Sequence, residues 1–456
     1  MKFLRNVLII FLGLLLVVGG VGYFLATQYI TKPAFADHLS TLVSQQTGGD
    51  CTITTLEPSG LGIKTEKVTL TNAKSIKKIE IKGFGTTFDP LALFTRTWKL
   101  NTLECNQLDI HIGKDKRTAS HPLDGYTIMK AGGLLDSLAP NKYELTKLSI
   151  GEWSGIVEQK KNNVEWNKVK ADGKFRNETL QLNLQGGTLA LPSKLLRHWN
   201  VKSADVSATI EDYQVNDGQF YRTNGGEAIV NGRGAIDGES LDAQVEFSAI
   251  PISDLVKPSQ YVKLSGAVQG FAKAKSHDHQ DPNITGTIAV TDGLVTVPEK
   301  IQALLKVIGL KDSNQLALKS FSSDLHHHDE TTTLSNLLIN AEDSMSLTGK
   351  IVLMGDTYQG AFRFGLSEQV YKKLPGKLKK QYQQEGNFYW VPVSLAGDKD
   401  DFINDLSAKI LKSAAGAYLG NSDLLDKLGD SVMELIDGGE EDPVKQGLNL
   451  LKGLFK

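Results

Sequence analysis

Two cysteines, Cys51 and Cys105, in 456 residues exclude a disulfide-dense scaffold and a multi-cysteine metal protein. An excess of one charge is also missing. Fifty Lys and Arg stand against 52 Asp and Glu, net −2, so the chain lacks the basic footprint that nucleic-acid binding needs to displace counterions. Aromatic residues make up only 7%, and there are 13 prolines against 44 glycines. So much glycine without collagen or linker periodicity implies many turns and bulges, and therefore β structure. Catalytic signatures are lacking too: no GxSxG elbow, HExxH, Walker-type GxxxxGK(S/T) or CxxC occurs. Gly232-Arg233-Gly234 with Gly238 misses GxGxxG at its last spacing. His326-His327-His328-Asp329-Glu330 and His277-Asp278-His279 are rich in metal-ligating groups. Consecutive strand residues point to opposite faces, so a strand–turn–strand is preferred to a metal site. The expectation is a non-enzymatic protein with no cofactor and no metal.

What the sequence does contain begins with an uncharged apolar run of 20 residues, Val7 to Ala26, preceded by Lys2 and Arg5. At about 1.5 Å per residue this spans a hydrocarbon core of roughly 30 Å. The leading positive charges place the N-terminus in the cytoplasm and the bulk of the chain outside. A cleaved leader is the alternative, with Ala34-Phe35-Ala36 as its site, but the run exceeds the usual leader core. In an exported, oxidising setting Cys51 and Cys105 form a disulfide candidate that closes a loop of roughly 50 residues. Two buried free thiols are the other reading.

Beyond the run, Ala34 to Gln46 has helical periodicity, and from Cys51 the period changes to two. Lys78–Lys82, Gln107–Ile112, Leu180–Gln185 and Leu241–Ala249 all alternate apolar with polar. Leu180, Leu182 and Leu184 share one face, as do Ala243, Val245 and Phe247. Asn72-Ala73, Asn224-Gly225-Gly226, Asp237-Gly238 and Asp292-Gly293 read as turns. Val230-Asn231-Gly232, Leu264-Ser265-Gly266, Ile284-Thr285-Gly286 and Leu347-Thr348-Gly349 form an irregular repeat expected to precede strands, with glycine at a bulge or a close backbone approach. Pro298 to Leu310 reads as an amphipathic helix, and so do Phe402–Leu419, Asp423–Leu435 and Pro443–Phe455. The C-terminal helices would cap a sheet end, lie on a membrane or dock envelope partners.

The predicted fold class is mainly β: an N-terminal transmembrane helix, then an elongated, curved antiparallel sheet with short helical insertions and C-terminal amphipathic helices. The divisions are 1–32 (tip and anchor), 33–120 (helix and β region), 121–283 (central β), 284–400 (β with a helix insertion) and 401–456 (helical).

Several stretches resemble the AsmA-like family. Phe88-Asp89-Pro90-Leu91-Ala92-Leu93-Phe94 followed by Trp98-Lys99-Leu100 is similar to the family's opening. Ile284–Val290 with Asp292-Gly293-Leu294, the strand pair Phe321 to Ile339, Leu347–Ile351 and Trp390–Gly397 are similar to its C-terminal region. Three departures stand out: Asp398-Lys399-Asp400-Asp401 follows where the family has a proline-containing segment, the chain is short for the family, and the C-terminal helices are not part of the family's pattern. The resemblance implies a curved sheet whose apolar concave face holds acyl chains, in a periplasmic protein anchored in a bacterial inner membrane. It also implies a part in phospholipid transport or envelope biogenesis, akin to eukaryotic bridge-like lipid-transfer proteins. Leu180, Leu182, Leu184, Ala243, Val245 and Phe247 become candidates for lining the groove, and phospholipid or another acyl lipid becomes the expected partner. The same stripes would equally suit the closed core of a structural or interaction protein without cargo.

Overall fold

The computed structural model describes residues 33–73, 76–89, 92, 97–113, 142–158, 163–192, 196–235, 239–255, 263–278, 280–296, 315–341, 344–374, 376–398 and 405. The apolar run at Val7–Ala26, the segment Pro298–Leu310 and the C-terminal helical segments lie outside the described residues, Asp405 excepted. Among the described residues no helix is long and apolar enough to cross a membrane. The chain is mainly β, antiparallel pairing dominates, and it divides into two compact units.

The first unit opens with α1 (Pro33–Thr47). Proline suits a first helical position, where its missing N–H has no intrahelical partner. Gly48, at φ +71°, ends the helix in the left-handed conformation, its N–H donating to the Ser44 carbonyl at 2.8 Å. Ala36, Leu39 and Val43, spaced three and four apart, form the buried face. On the same helix Ser40 and Ser44 accept hydrogen bonds from the backbone N–H groups of Ile53 (3.0 Å) and Cys51 (2.7 Å) in β1 (Asp50–Ile53). This edge strand pairs only with β3 (Gly62–Ala73) among the described residues, so the two serines satisfy donors on its other side.

From β3 the ladder continues through β4 (Ile76–Phe88), β5 (Thr97–Ile112), β6 (Lys142–Val157) and β7 (Val164–Arg176). The short β2 (Leu56–Ser59) also pairs with β3. Next come β8 (Thr179–Gln185) and β9 (Thr188–Ala190), which both pair with β7 and with β10 (His198–Ala208). The break between them is Gly186-Gly187, both left-handed, where a side chain on Gly187 would meet the Asn167 carbonyl oxygen at 2.4 Å. Then follow β11 (Asp212–Tyr221) and β12 (Glu227–Ala235).

Pairing of β5 with β6 is parallel, which corrects the expectation of an antiparallel sheet throughout. The long chain interval from Ile112 to Lys142 is the physical reason, since a tight hairpin is not imposed and a crossover is possible. Asp292-Gly293 is a second correction. It lies inside β15 (Asn283–Thr296), where Asp292 at φ +50° accommodates an irregularity instead of a turn. Left-handed residues also sit within strands at Lys168, Asp217, Ala249 and Asn336, and register shifts recur along the ladders. Such bulges raise local twist.

The faces of the first unit differ sharply. One is polar: Glu80 is 7% exposed and lies within 3.3, 2.7 and 3.4 Å of the ammonium groups of Lys67, Lys78 and Lys82. Its hydrogen bond with Lys78 leads in holding its carboxyl down to about 2, against the opposing pull of burial. Unfolded glutamate titrates near 4.3, so this stabilisation is complete above that pH and disappears as pH falls toward about 2. With the lysines 41–49% exposed, solvent screening reduces the effect to about 1–2 kcal/mol. In denaturant titrations the stability gap between wild type and Glu80→Gln should be full at pH 7 and closed near pH 2. An unchanged gap across that range would refute the assignment.

The second unit is a continuous ladder of β14 (Lys263–Ser276), β15, β16 (Gln315–His328), β17 (Thr331–Ala341), β18 (Met345–Met354), β19 (Thr357–Ser367), β21 (Phe388–Asp398) and β20 (Gln383–Glu385). After β19, α2 (Glu368–Lys373) and α3 (Gly376–Lys379) place Val370, Leu374 and Tyr382 in a core with Leu347, Phe362, Phe364 and Val393. β13 (Leu241–Pro251) is divided between the units after Val245.

Candidate functional site

The apolar face opposite Glu80 is built from stripes that run across the strands, because each inward residue is registered against an inward residue on the next strand. One stripe runs Leu70, Ile79, Ile110, Gly155, Trp166, Leu189. Another runs Leu103, Leu148, Gly173, Leu182, Val206, Val215. A third joins Leu145, Phe175, Leu180, Ala208 and Tyr213. Beneath α1 the stripes are sealed: Leu39 is 0%, Leu70 1% and Ile81 1% exposed. Farther along the unit, Trp153, Val157, Trp166, Phe175, Leu182 and Leu184 pack against that core but are only half-buried. Among the described residues every strand of this unit belongs to the same ladder, so no second sheet covers the face.

The structure therefore brings Leu180, Leu182 and Leu184 together on the apolar side of β8, with Leu180 buried and the other two half-buried. In β13, Ala243 and Val245 are half-buried, and Ala243 lies against Gly232, where a side chain would come within 2.9 Å of its Cβ. Phe247, in the second unit, is half-buried, and its ring covers Gly270. The second unit repeats the pattern: its stripes are sealed near α2, while Ile284, Ile288 and Ala272 on β14 and β15 are half-buried.

Periodicity missed the aromatic pair in the first unit. Trp153 and Trp166 meet edge to face, with centroids 5.6 Å apart and planes at 78°, and a side chain on Gly155 would strike the Trp166 ring at 2.2 Å. Both indole Nε1 atoms are buried, with no hydrogen-bond partner among the described residues. A bulge between them hides the pattern, since Lys168 at φ +55° breaks the alternation of β7.

The disulfide candidate does not form: Cys51 and Cys105 are both free. Two strands, β3 and β4, lie between β1 and β5. Three strand spacings alone amount to roughly 14 Å, and Cys105 also lies five residues along β5 from Ile110, the position in line with Cys51, so the pair is well beyond the reach of a disulfide. Burial pushes the Cys51 thiol up to about 11 and the Cys105 thiol up to about 12, so neither is a ready nucleophile at neutral pH.

The histidine run behaves as a strand end. His326 and His328 are exposed, and His327, half-buried, lies 2.7 Å from the Thr332 hydroxyl through Nδ1. Among the described residues no three His, Cys, Asp or Glu side chains come together as a metal site. A polar cleft of about 500 Å³ lies at strand ends of the first unit, bordered by Ser207, Tyr213, Arg233, Asp242 and His277. Its ionisable groups carry both signs.

No family model matches the chain, and neither a curated protein nor a solved structure is significantly similar to it.

Proposed function

We propose that this protein binds lipid acyl chains along the apolar face of its sheet, as a non-enzymatic lipid-binding or lipid-transfer protein of the AsmA-like kind. One observation carries the reading: apolar stripes continue across successive strands past the helix-sealed end and are only half-buried at Trp153, Phe175, Leu182 and Leu184. An acyl chain laid along such a stripe leaves water at about 0.8 kcal/mol per CH₂, so a dozen methylenes supply ample binding energy. Local twist from the recurring bulges would curve the sheet within each unit into a groove. Val7–Ala26 would be the membrane anchor, placing the remainder in the periplasm of a bacterial envelope beside its lipid source, with phospholipid transport or envelope biogenesis as the setting. The C-terminal helical segment would meet envelope partners.

The test is mass spectrometry of lipid extracted from the purified full chain after exhaustive detergent exchange into lipid-free amphipol. Near-stoichiometric phospholipid is expected. A folded protein that carries no lipid and takes none up from vesicles would leave a closed-core scaffold as the function.

A further inference from the structure

The second unit buries more than its described elements can cover. Tyr358 on β19 is 2% exposed, Ile351 on β18 3% and Leu337 on β17 5%. Tyr358 is registered with Leu353, Ile351 with Gly360 and Leu337 with Gly349, so the three share a face and step along the strands as they cross them. They form a buried diagonal, with Leu353 and Leu334 beside it only half-buried. One sheet layer leaves such side chains open to water, and sealing them takes a second layer. Among the described residues the helix packed on β19 and β21 is α2. It begins beyond the far end of β19, roughly 30 Å along the strand from Tyr358.

What does reach Tyr358 is Asp405. Its carboxylate accepts a hydrogen bond from the Tyr358 hydroxyl at 2.6 Å, and it stands over Gly397 near the end of β21, where a side chain would come within 2.8 Å of its Oδ2. Asp405 is itself helical. Around it Phe402, Ile403, Leu406, Ile410 and Ala417 fall on one side of a helix, with Asp405 flanking that stripe. The diagonal is roughly 16 Å long, which a helix covers in about eleven residues. We infer that Phe402–Leu419 lies with its apolar side along the Tyr358–Ile351–Leu337 diagonal, the Tyr358–Asp405 hydrogen bond fixing where it starts. This goes beyond the lipid-binding reading and does not depend on it. The seat is filled from within the chain, so this part of the second unit is closed to cargo, and only residues after Leu419 are left to meet envelope partners.

Site-specific photo-cross-linking in the full chain tests it. p-Benzoylphenylalanine replaces Leu353, the half-buried cross-strand neighbour of Tyr358 on the same face. Irradiation should join it to a peptide within Phe402–Leu419 of the same chain, identified by mass spectrometry. Cross-links that map to Pro298–Leu310, to the first unit or to a second, isotope-labelled copy would overturn the inference, and so would irradiation that yields none. Thiol labelling supplies an independent readout. Ile351→Cys should resist maleimide, and adding Leu406→Glu/Ile410→Glu should speed its labelling about tenfold or more by opening the face locally. An unchanged rate would count against the inference as firmly as a misplaced cross-link. The cross-link, made on an otherwise unaltered chain, decides the matter even if the charged variant does not fold.

Discussion

Glutamate at Ile81 will unfold the first unit, whereas glutamate at Leu182 will leave it folded and empty of lipid. Ile81 is 1% exposed, registered between Val68 and Leu108, in the core that includes Leu39 and Val43 of α1. Replacing it forfeits about 1.5–3 kcal/mol of apolar burial and adds the cost of a buried, unpaired carboxylate. Together these exceed about 5 kcal/mol, the lower end of typical domain stability. Leu182 faces the same side but is half-buried, between Gly173 and Val206. A carboxylate there reaches water, so the stability cost should be about 1–2 kcal/mol. Its charge would nevertheless interrupt the apolar stripe, and lipid occupancy should fall at least tenfold. Circular dichroism melts and lipid mass spectrometry on both variants separate the cases. If Leu182→Glu unfolds the protein as thoroughly as Ile81→Glu, the face is a closed core.

Much of this face was legible in the sequence because a regular strand writes its faces with period two. Leu180, Leu182 and Leu184 fall on one side of β8 for that reason alone, and the helical spacing of Ala34–Gln46 anticipated α1 to within a residue at each end. Where a bulge shifts the phase, the pattern dissolves. Trp153 and Trp166 come together only after the register shifts of β6 and the left-handed Lys168 in β7, and nothing in lysine's side chain announces that conformation. The glycines of the repeat are instructive in the same way. Gly232, Gly266, Gly286 and Gly349 all lie inside strands β12, β14, β15 and β18, not ahead of them. Gly286 permits close backbone approach, since a side chain there would meet the Phe271 carbonyl oxygen at 2.1 Å. Strand partners were not legible at all. The free state of Cys51 and Cys105 follows from the two strands between them, and pairing order is a long-range property that local alternation does not encode.

Gly360→Val should destabilise the second unit by about 2–3 kcal/mol through overpacking alone. Gly360 stands two residues before Phe362 on the same face of β19, and a side chain there would lie 2.2 Å from the Phe362 ring. The ring is 4% exposed and also lies over Gly349, its cross-strand neighbour, so it has nowhere to swing. Shortening the ring in Phe362→Leu should restore part of the loss in the double variant, giving a coupling energy of about 1–2 kcal/mol in a double-mutant cycle. Gly376→Ala is the control: it sits in α3 with nothing within 4 Å, and should be neutral or slightly stabilising. If Gly360→Val melts with wild type, the ring is mobile and the packing described here is wrong. The arrangement has a functional side. Phe362 over Gly349 and Gly360, Phe247 over Gly270 and Trp166 over Gly155 all lie down upon glycines. Aromatic rings that lie along a sheet keep its apolar surface shallow; Phe362 does so inside the closed core, whereas at half-buried Trp166 and Phe247 the lipid-binding proposal would set an acyl chain above the ring.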